Sequence, residues 1–295
     1  MSWDVTERRA SGLIDKSVRL RFSHDPEVPT LELEMTIPDQ GRAAPVFLTA
    51  NGGPPNRLVL ERGYGVVDCK VTQVFPDDPA KVSASIGAAL GHDPAAWGAI
   101  GTWAWALRRA MDYLETDADI DASRVCLEGF SRFGKTAMWA GAQDERFAIT
   151  FSGQSGCAGH VLVRRQFGET VKLINQLFPH WFNARFKSYG DRVDELPIDW
   201  HELIALHAPR PVYIAAAEQD LWGDPSGSFL AARNADPAYE LFGMVGLQVN
   251  DLPLTDTPVG DLIGFHLSEG EHGLTNYDWT QFLGFAERHL ATVSR

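Results

Sequence analysis

Positive charge, long apolar runs and cysteine are all scarce in this sequence of 295 residues. Lysine and arginine contribute 26 positive charges against 39 acidic residues, which gives a formal net charge of −13. Because nucleic acids and anionic membranes bind clustered lysine and arginine, neither is an expected partner. No segment reaches the roughly 18 apolar residues of a membrane-spanning helix, and residues 1–9 lack the apolar stretch of an export signal. We therefore expect a soluble chain without a signal peptide.

The scarcity of cysteine limits disulfides and metal sites. The three cysteines allow at most one disulfide and show no metal-ligand spacing; they are Cys69, Cys126 and Cys157. Residues 117–128 are similar to a calcium-binding loop, but Ala122 stands where such a loop needs glycine for its sharp turn. Residues 201–207 are similar to a zinc-binding helix, but Ala205 stands where the second histidine is required. The sequence thus predicts no metal site and no cofactor.

The order of hydrophobic patterns predicts an α/β fold. Residues 18–22 and 31–37 alternate between apolar and polar side chains, as half-buried strands do, whereas 45–50 is a continuous apolar run typical of a fully buried strand. Further strands are predicted at 64–68, 125–127, 147–151, 212–216 and 263–267, and helices at 96–114 and 278–290. The chain lacks repeats and linkers, which favours a single domain over 1–295. Strands separated by helices indicate a mostly parallel central sheet flanked by helices, a three-layer sandwich.

A serine between two glycines lies at a predicted strand-to-helix turn. The strand at 125–127 runs into Gly-Phe-Ser-Arg-Phe-Gly-Lys at residues 129–135, and small and apolar residues that suit a buried helix follow. Such a turn is the nucleophile elbow of α/β-hydrolases, which exposes the serine hydroxyl above the sheet. The second glycine, Gly134, stands three residues after Ser131 instead of the usual two. The sequence therefore predicts the α/β-hydrolase fold, with Ser131 as nucleophile on a variant of the motif.

A serine nucleophile needs a histidine base and a carboxylate that orients the histidine. In α/β-hydrolases the acid follows the serine along the chain, and the histidine follows the acid. The acid candidates come directly after the predicted strand at 212–216; they are Glu218, Asp220 and Asp224. The candidate base, His272, lies in the loop after the last predicted strand. Because the carboxyl ends of parallel strands meet at one sheet edge, we expect these side chains near Ser131.

Several segments between residues 129 and 279 resemble the glucuronoyl esterases of carbohydrate esterase family 15. The elbow of that family typically reads Gly-Cys-Ser-Arg-x-Gly-Lys, and residues 129–135 match it except that Phe130 replaces the cysteine. The other matching segments are 155–159 with Arg164 and Arg165, 178–182, 196–211 and 220–225. The elbow and residues 196–211 are the most specific of these, whereas residues 1–120 share only the general layout.

The resemblance implies a role for each candidate site residue. Ser131 corresponds to the nucleophile, His272 to the base, and Arg132 to a residue that stabilises the oxyanion. The positions that bind the hydroxyls and the ring of the glucuronate correspond to Lys135, Glu169 and Trp222. Charged hydrogen-bonding groups together with an aromatic face suit the recognition of a sugar.

The resemblance also narrows the choice of the acid. Many family members carry the triad glutamate after the strand that follows the elbow helix, where this sequence has Gln154. An uncharged amide cannot stabilise the imidazolium electrostatically. The acid is therefore expected at Asp220, as in many bacterial members, with Asp224 as the alternative. A glutamate introduced at 154 is expected to restore part of the activity that a change at Asp220 removes.

The activity implied by the resemblance is hydrolysis of esters of (4-O-methyl-)glucuronic acid through an acyl-enzyme on Ser131. Such esters link glucuronoxylan to lignin alcohols. Two alternatives remain open. One is an esterase of the same fold for another acid, such as an acetyl xylan or feruloyl esterase, and the other is a catalytically inactive carbohydrate-binding relative. The resemblance also implies a secreted or periplasmic protein, and we expect a monomer.

Overall fold

The structure of the chain is a computed structural model that describes residues 1–52, 56–92 and 96–291, with only the backbone described at Asn56. The described residues group into two compact units. The first unit comprises Met1–Val125 and Phe178–Phe186, and the second comprises Cys126–Leu177 and Lys187–Arg295. The single domain expected over 1–295 stays a prediction.

The first unit is built on a mixed sheet with the strand order β1-β2-β3-β5-β4. Its strands are β1 (Ser2–Ala10), β2 (Leu13–Arg21), β3 (Leu31–Pro38), β4 (Ala44–Ala50) and β5 (Gly65–Cys69). Its helices are α1 (Asn56–Glu61), α2 (Ile86–Ala89) and α3 (Ala99–Leu114). Only the pair β4 and β5 is parallel among these pairings. In β2, Val18 and Leu20 are buried while Arg19 is exposed, which confirms the predicted half-buried strand.

Strand β1 has no counterpart among the predicted strands. Every residue from Ser2 to Ala10 is exposed, so neither face of the strand is buried. It is held by a continuous antiparallel register with β2, from Ser2 opposite Arg21 to Ala10 opposite Leu13. Backbone pairing rather than burial defines this strand, and a hydrophobic pattern does not reveal such pairing.

The second unit is built on parallel strands in the order β6-β7-β8-β9. These strands are β6 (Ile120–Phe130), which belongs to this unit from Cys126 onward, β7 (Ile149–Gly153), β8 (Val212–Ala217) and β9 (Ile263–Ser268). The helices in the rest of the chain are α4 (Arg132–Gln143), α5 (Val171–Leu177), α6 (Ala184–Lys187), α7 (Trp200–Ala205), α8 (Pro225–Asn234), α9 (Asp236–Glu240) and α10 (Asn276–Leu290). The parallel strands and their intervening helices confirm the predicted α/β architecture.

Buried strands and aromatic rings form the core of the second unit. All residues of β7, β8 and β9 are buried, as expected for parallel strands covered on both faces. Phe151 and Tyr213 pack against Phe282 and Phe285 of α10, with ring centroids 4.8 to 5.9 Å apart. This core fixes the strands whose carboxyl ends lead into the loops with the predicted catalytic residues.

Candidate active site

The turn between β6 and α4 holds Ser131 in a backbone conformation that residues other than glycine rarely adopt. Ser131 has φ 56° and ψ −127°. Such a conformation costs about 1–3 kcal/mol and persists where the surrounding structure enforces it. A Cβ atom at Gly129 would lie 2.0 Å from the carbonyl oxygen of Phe133. A Cβ atom at Gly134 would lie 2.8 Å from the Cβ of Ser155. Glycine at both positions therefore avoids a close contact that a side chain would make at this tight turn.

Backbone hydrogen bonds fix Ser131 between β7 and α4. Its N–H group donates to the carbonyl oxygen of Gly153, at the end of β7, over 2.8 Å. Its carbonyl oxygen accepts from the N–H groups of Gly134 (2.9 Å) and Lys135 (3.2 Å). The position of the serine therefore depends on the end of β7 as well as on its own turn.

Arg132, the predicted oxyanion-stabilising residue, directly follows Ser131 and is the first residue of α4. Its guanidinium lies over the ring of Phe133, with the Cζ atom 4.7 Å from the ring centroid. In α/β-hydrolases the N–H group after the nucleophile contributes to the oxyanion hole. Arg132 is therefore the residue whose N–H group stands directly after the predicted nucleophile. Its guanidinium packs on the neighbouring ring of Phe133.

Asp220 and His272, the expected acid and base, are in direct contact. The Oδ2 atom of Asp220 lies 2.7 Å from Nδ1 of His272. The Oδ1 atom of the same carboxylate accepts a hydrogen bond from the N–H group of Gly223 over 3.0 Å. The side chain of Asp220 is buried, whereas that of His272 is 39% exposed. A carboxylate at Nδ1 selects the tautomer in which Nε2 is available as a proton acceptor.

Phe130 packs against the side chain of the predicted base, His272. Its ring packs against the imidazole of His272, with the two ring centroids 4.7 Å apart. Phe130 is the residue before Ser131 and stands where the family motif has a cysteine. The contact therefore joins the nucleophile turn directly to the side chain of the predicted base.

The other two acid candidates have partners of their own. Asp224 is the N-cap of α8, where its Oδ1 atom accepts from the N–H group of Gly227 over 2.9 Å. Its Oδ2 atom accepts from Nε of Arg165 over 2.8 Å. Glu218 is exposed, and its Oε2 atom accepts a hydrogen bond from Thr255 over 3.0 Å. Of the candidates left open by the sequence, one contacts the histidine, one caps a helix and one lies at the surface.

Lys135 and Glu169 form a buried ion pair. The Nζ atom of Lys135 lies 2.6 Å from Oε2 of Glu169, and these side chains are 3% and 5% exposed. The same ammonium donates to the carbonyl oxygens of Ser155 and, over 2.7 Å, Cys157. All three of its donors therefore point at protein acceptors. A Cβ atom at Gly156 would lie 2.7 Å from Oε2 of Glu169, so glycine allows the backbone to pass beside the pair.

Trp222 is joined to one member of this ion pair, Glu169, by a backbone hydrogen bond. Trp222 itself is 42% exposed. Its carbonyl oxygen accepts a hydrogen bond from the N–H group of Glu169 over 2.8 Å. Gly168, with φ 62°, permits this approach, because a Cβ atom there would lie 2.5 Å from the same carbonyl oxygen. The loop that begins at Asp220 is thus tied to the segment that carries Glu169.

A buried hydrogen-bonded chain that sequence reasoning missed supports the segment after His272. The hydroxyl of Tyr213 lies 2.9 Å from Nδ1 of His266, and Nε2 of His266 lies 2.8 Å from Oδ1 of Asp278. The Oδ2 atom of Asp278 accepts from the N–H (2.6 Å) and the hydroxyl (2.7 Å) of Thr275, the N-cap of α10. The available signal in the sequence is the capping-box spacing of Thr275 and Asp278.

Glu128 is a buried carboxylic acid one residue before the first glycine of the elbow. Among residues 1–52, 56–92 and 96–291, its Oε1 atom has no hydrogen-bond partner. Burial raises the pKa of this carboxyl group to about 8. The folded protein therefore holds a proton at this site under conditions in which the unfolded chain releases it.

Replacing Glu128 with glutamine is expected to stabilise the protein at pH 8 but not at pH 4. The unfolded carboxyl ionises near a pKa of about 4.3, whereas the folded one keeps its proton up to about pH 8. Between these values the contribution of Glu128 to the free energy of unfolding falls by about 1.4 kcal/mol per pH unit, and glutamine removes that loss. Denaturant unfolding at several pH values measures the effect, with Glu240→Gln at the exposed surface as control. A stability difference that stays constant with pH would contradict the prediction.

Within the described parts of the chain, no group of three or more His, Cys, Asp and Glu side chains is arranged to hold a metal ion. In the segment similar to a calcium loop, Asp117 instead accepts hydrogen bonds from Lys16 (2.6 Å) and Tyr113 (2.7 Å). Over the same described residues, no helix combines the length and the apolar character that crossing a membrane requires.

The chain is similar in sequence to known carbohydrate esterases. Residues 21–243 match a family model described as glucuronyl esterase of fungi. Carbohydrate esterase MZ0003, from an unknown prokaryotic organism, is 53% identical over 194 residues, which cover 66% of this chain and 45% of that protein. The 4-O-methyl-glucuronoyl methylesterase of Hypocrea jecorina is 33% identical over 156 residues, which cover 50% of this chain and 34% of that protein. The matches thus span less than half the length of these two relatives.

The structure is also similar to a solved one. A glucuronoyl esterase from Solibacter usitatus matches with a TM-score of 0.91 and 36% sequence identity, covering 98% of this chain and 86% of that chain. Glucuronoyl esterases have the α/β-hydrolase fold. The match and the mostly parallel strands together confirm the α/β-hydrolase fold predicted from the elbow and the order of strands.

Proposed function

Because the chain belongs to the glucuronoyl esterase family, we propose that it is a serine carboxylic-ester hydrolase that cleaves esters of (4-O-methyl-)glucuronic acid. The observation that carries this proposal is the contact of 2.7 Å between Asp220 and Nδ1 of His272, whose ring packs beside the turn of Ser131. A carboxylate–histidine pair beside an elbow serine is the arrangement that activates a hydroxyl for attack on an ester. The natural substrates proposed are esters between glucuronoxylan and lignin alcohols.

In the proposed reaction, Oγ of Ser131 attacks the ester carbonyl carbon while Nε2 of His272 accepts the hydroxyl proton. Asp220 stabilises the resulting imidazolium through Nδ1, and the N–H group of Arg132 stabilises the oxyanion. The imidazolium then donates its proton to the leaving alcohol, so that an acyl-enzyme on Ser131 remains. Water deprotonated by His272 attacks this acyl group, which releases the uronic acid and restores the serine.

We assign the recognition of the uronic acid to Lys135, Glu169 and Trp222. The exposed indole of Trp222 offers an apolar face to the sugar ring, and the buried ion pair holds Glu169, whose N–H group binds the carbonyl oxygen of Trp222. Removing either member of the ion pair would leave the other charge buried and unpaired, which typically costs about 3–5 kcal/mol of stability. Variants of Lys135 and Glu169 therefore change recognition and stability together, and Trp222 gives the cleaner test.

Trp222→Ala is expected to lower kcat/KM for a methyl glucuronate ester about 10-fold, because the indole face contributes to binding the sugar. The rate on p-nitrophenyl acetate should stay near that of the wild type, since this ester has no sugar to contact. Trp139→Ala is a matched control: Trp139 lies on α4 of the same unit and is 39% exposed. Equal losses on both esters would instead indicate a structural role for Trp222.

Fluorophosphonate labelling tests the serine chemistry without any sugar. The wild type is expected to react at Ser131, located by peptide mass spectrometry, and Ser131→Ala is expected not to react. A wild type that is neither labelled nor active on esters would favour a catalytically inactive carbohydrate-binding relative. Labelling of another serine would identify that serine, rather than the elbow serine, as the nucleophile.

A further inference from the structure

The amide of Gln154 makes two hydrogen bonds to the residue that follows His272. Its Oε1 atom accepts from the N–H group of Gly273 over 2.7 Å, and its Nε2 atom donates to the carbonyl oxygen of Gly273 over 3.0 Å. Gln154 is 3% exposed, so water has little access to these bonds. A buried amide that satisfies a donor and an acceptor of one residue fixes that residue in both place and orientation.

Gln154 is itself anchored to the sheet and to the nucleophile turn. It directly follows β7 with φ 46°, and its backbone N–H group donates to the carbonyl oxygen of Ala215 in β8 over 2.7 Å. The residue before it, Gly153, accepts the hydrogen bond of the Ser131 N–H group. A Cβ atom at Gly153 would lie 2.9 Å from a methyl carbon of Leu274. This short segment thus contacts the nucleophile turn on one side and the residues after the histidine on the other.

The loop of residues 269–275, which joins β9 to α10, needs such an anchor. His272 lies between Gly270 and Gly273, and over the described residues no outside atom comes within 4 Å of a Cβ placed on either glycine. Glycine gives a loop more conformational freedom than any other residue. Besides the contact of His272 with Asp220, Gly270 accepts a hydrogen bond from the N–H group of Gln219 over 2.9 Å. The bonds from Gln154 hold the other side of the histidine.

We propose that Gln154 is a positioning residue whose amide sets the place of His272 relative to Ser131, an inference that rests on the proposed serine esterase function. The site then requires an amide at this position rather than a charge. An ionised carboxylate has no donor, so glutamate would keep the bond to the Gly273 N–H group but turn an oxygen toward the Gly273 carbonyl. Glutamate at 154 is therefore expected not to replace Asp220, in contrast to the expectation from the family resemblance.

The main test is the rate constant for fluorophosphonate labelling of Ser131 in Gln154→Glu. This rate depends on the serine and histidine but on no sugar. A misplaced histidine is expected to lower it about 10- to 100-fold, with an unchanged circular dichroism spectrum. In a His272→Ala background the same change should alter the rate less than about 2-fold, because an effect that acts through the histidine disappears with it. A purely structural role would give the same loss in both backgrounds.

Gln154→Asn is the second variant. Asparagine tolerates a positive φ but is one methylene too short to reach both groups of Gly273, so a lower labelling rate is again expected. Wild-type rates in both variants would overturn the proposal, as would an equal loss in the His272→Ala background. Recovery of the rate when Gln154→Glu is added to Asp220→Asn would also overturn it. A wrong assignment of the substrate would give a different result: the wild type would be labelled at the normal rate but would not hydrolyse glucuronate esters.

Discussion

Replacing Ser131 with alanine is expected to remove nearly all ester turnover, with kcat about 10⁴- to 10⁶-fold lower. Alanine lacks the hydroxyl that forms the acyl-enzyme, whereas the glycines that shape the turn, Gly129 and Gly134, remain in place. The residual rate would come from oxyanion stabilisation and substrate binding alone. Steady-state rates on a methyl glucuronate ester and on p-nitrophenyl acetate measure the loss, and both rates should fall together.

Ser226→Ala is the matched control for this variant. Ser226 is half-buried, as Ser131 is, and lies in α8 of the same unit, so its replacement should leave turnover unchanged. His272→Ala should cost about as much as Ser131→Ala, and the double variant should be no slower than either, because triad members act as a unit. Turnover near the wild-type value in Ser131→Ala would show that Ser131 is not the nucleophile.

Asp220→Asn is expected to lower kcat about 10⁴-fold, the size of the effect when the triad acid of a serine protease is neutralised in the same way. The carboxylate of Asp220 contacts Nδ1 of His272 through one oxygen and the N–H group of Gly223 through the other. Asparagine keeps the shape of the side chain, but it carries no charge to stabilise the imidazolium and favours the wrong histidine tautomer. The pH dependence of kcat and an unchanged circular dichroism spectrum complete the measurement.

Asp224→Asn is the control for the acid. It removes the same charge from another buried side chain four residues away, but the partners there are Gly227 and Arg165. Asparagine caps helices as well as aspartate does, and the lost ion pair with the partly exposed Arg165 is expected to cost at most about 1 kcal/mol of stability. We therefore expect kcat near the wild-type value. If Asp224→Asn abolished turnover while Asp220→Asn did not, the acid would be Asp224.

Elements with a buried face could be predicted from the sequence because burial leaves a local pattern. The alternation at 18–22 and the continuous apolar run at 45–50 correspond to β2 and β4. The elbow could be recognised although its second glycine is displaced, since Gly134 still faces the turn. The order of serine, acid and histidine then predicted loops at one sheet edge, where Asp220 and His272 meet. The catalytic roles of these residues stay predictions.

Contacts between distant segments could not be predicted, because the residue types alone are compatible with many partners. Gln154 and Gly273 are 119 positions apart, and only the fold shows that the amide binds the backbone beside the histidine rather than the imidazole. Lys135 is similar: the family resemblance implied a contact with the sugar, but its partners include two carbonyl groups from the loop after β7. Strand β1 is exposed along its whole length, so its sequence carries no signal of burial.

The most direct test of the proposed activity compares the kcat/KM values of the wild-type protein on three esters. These are the methyl esters of 4-O-methyl-glucuronic acid and of galacturonic acid, and p-nitrophenyl acetate. We expect the highest value on the glucuronate ester, because contacts to the sugar add binding energy that is used in the transition state. Efficient hydrolysis of p-nitrophenyl acetate with no detectable action on the glucuronate ester would contradict the proposal and indicate an esterase for another acid.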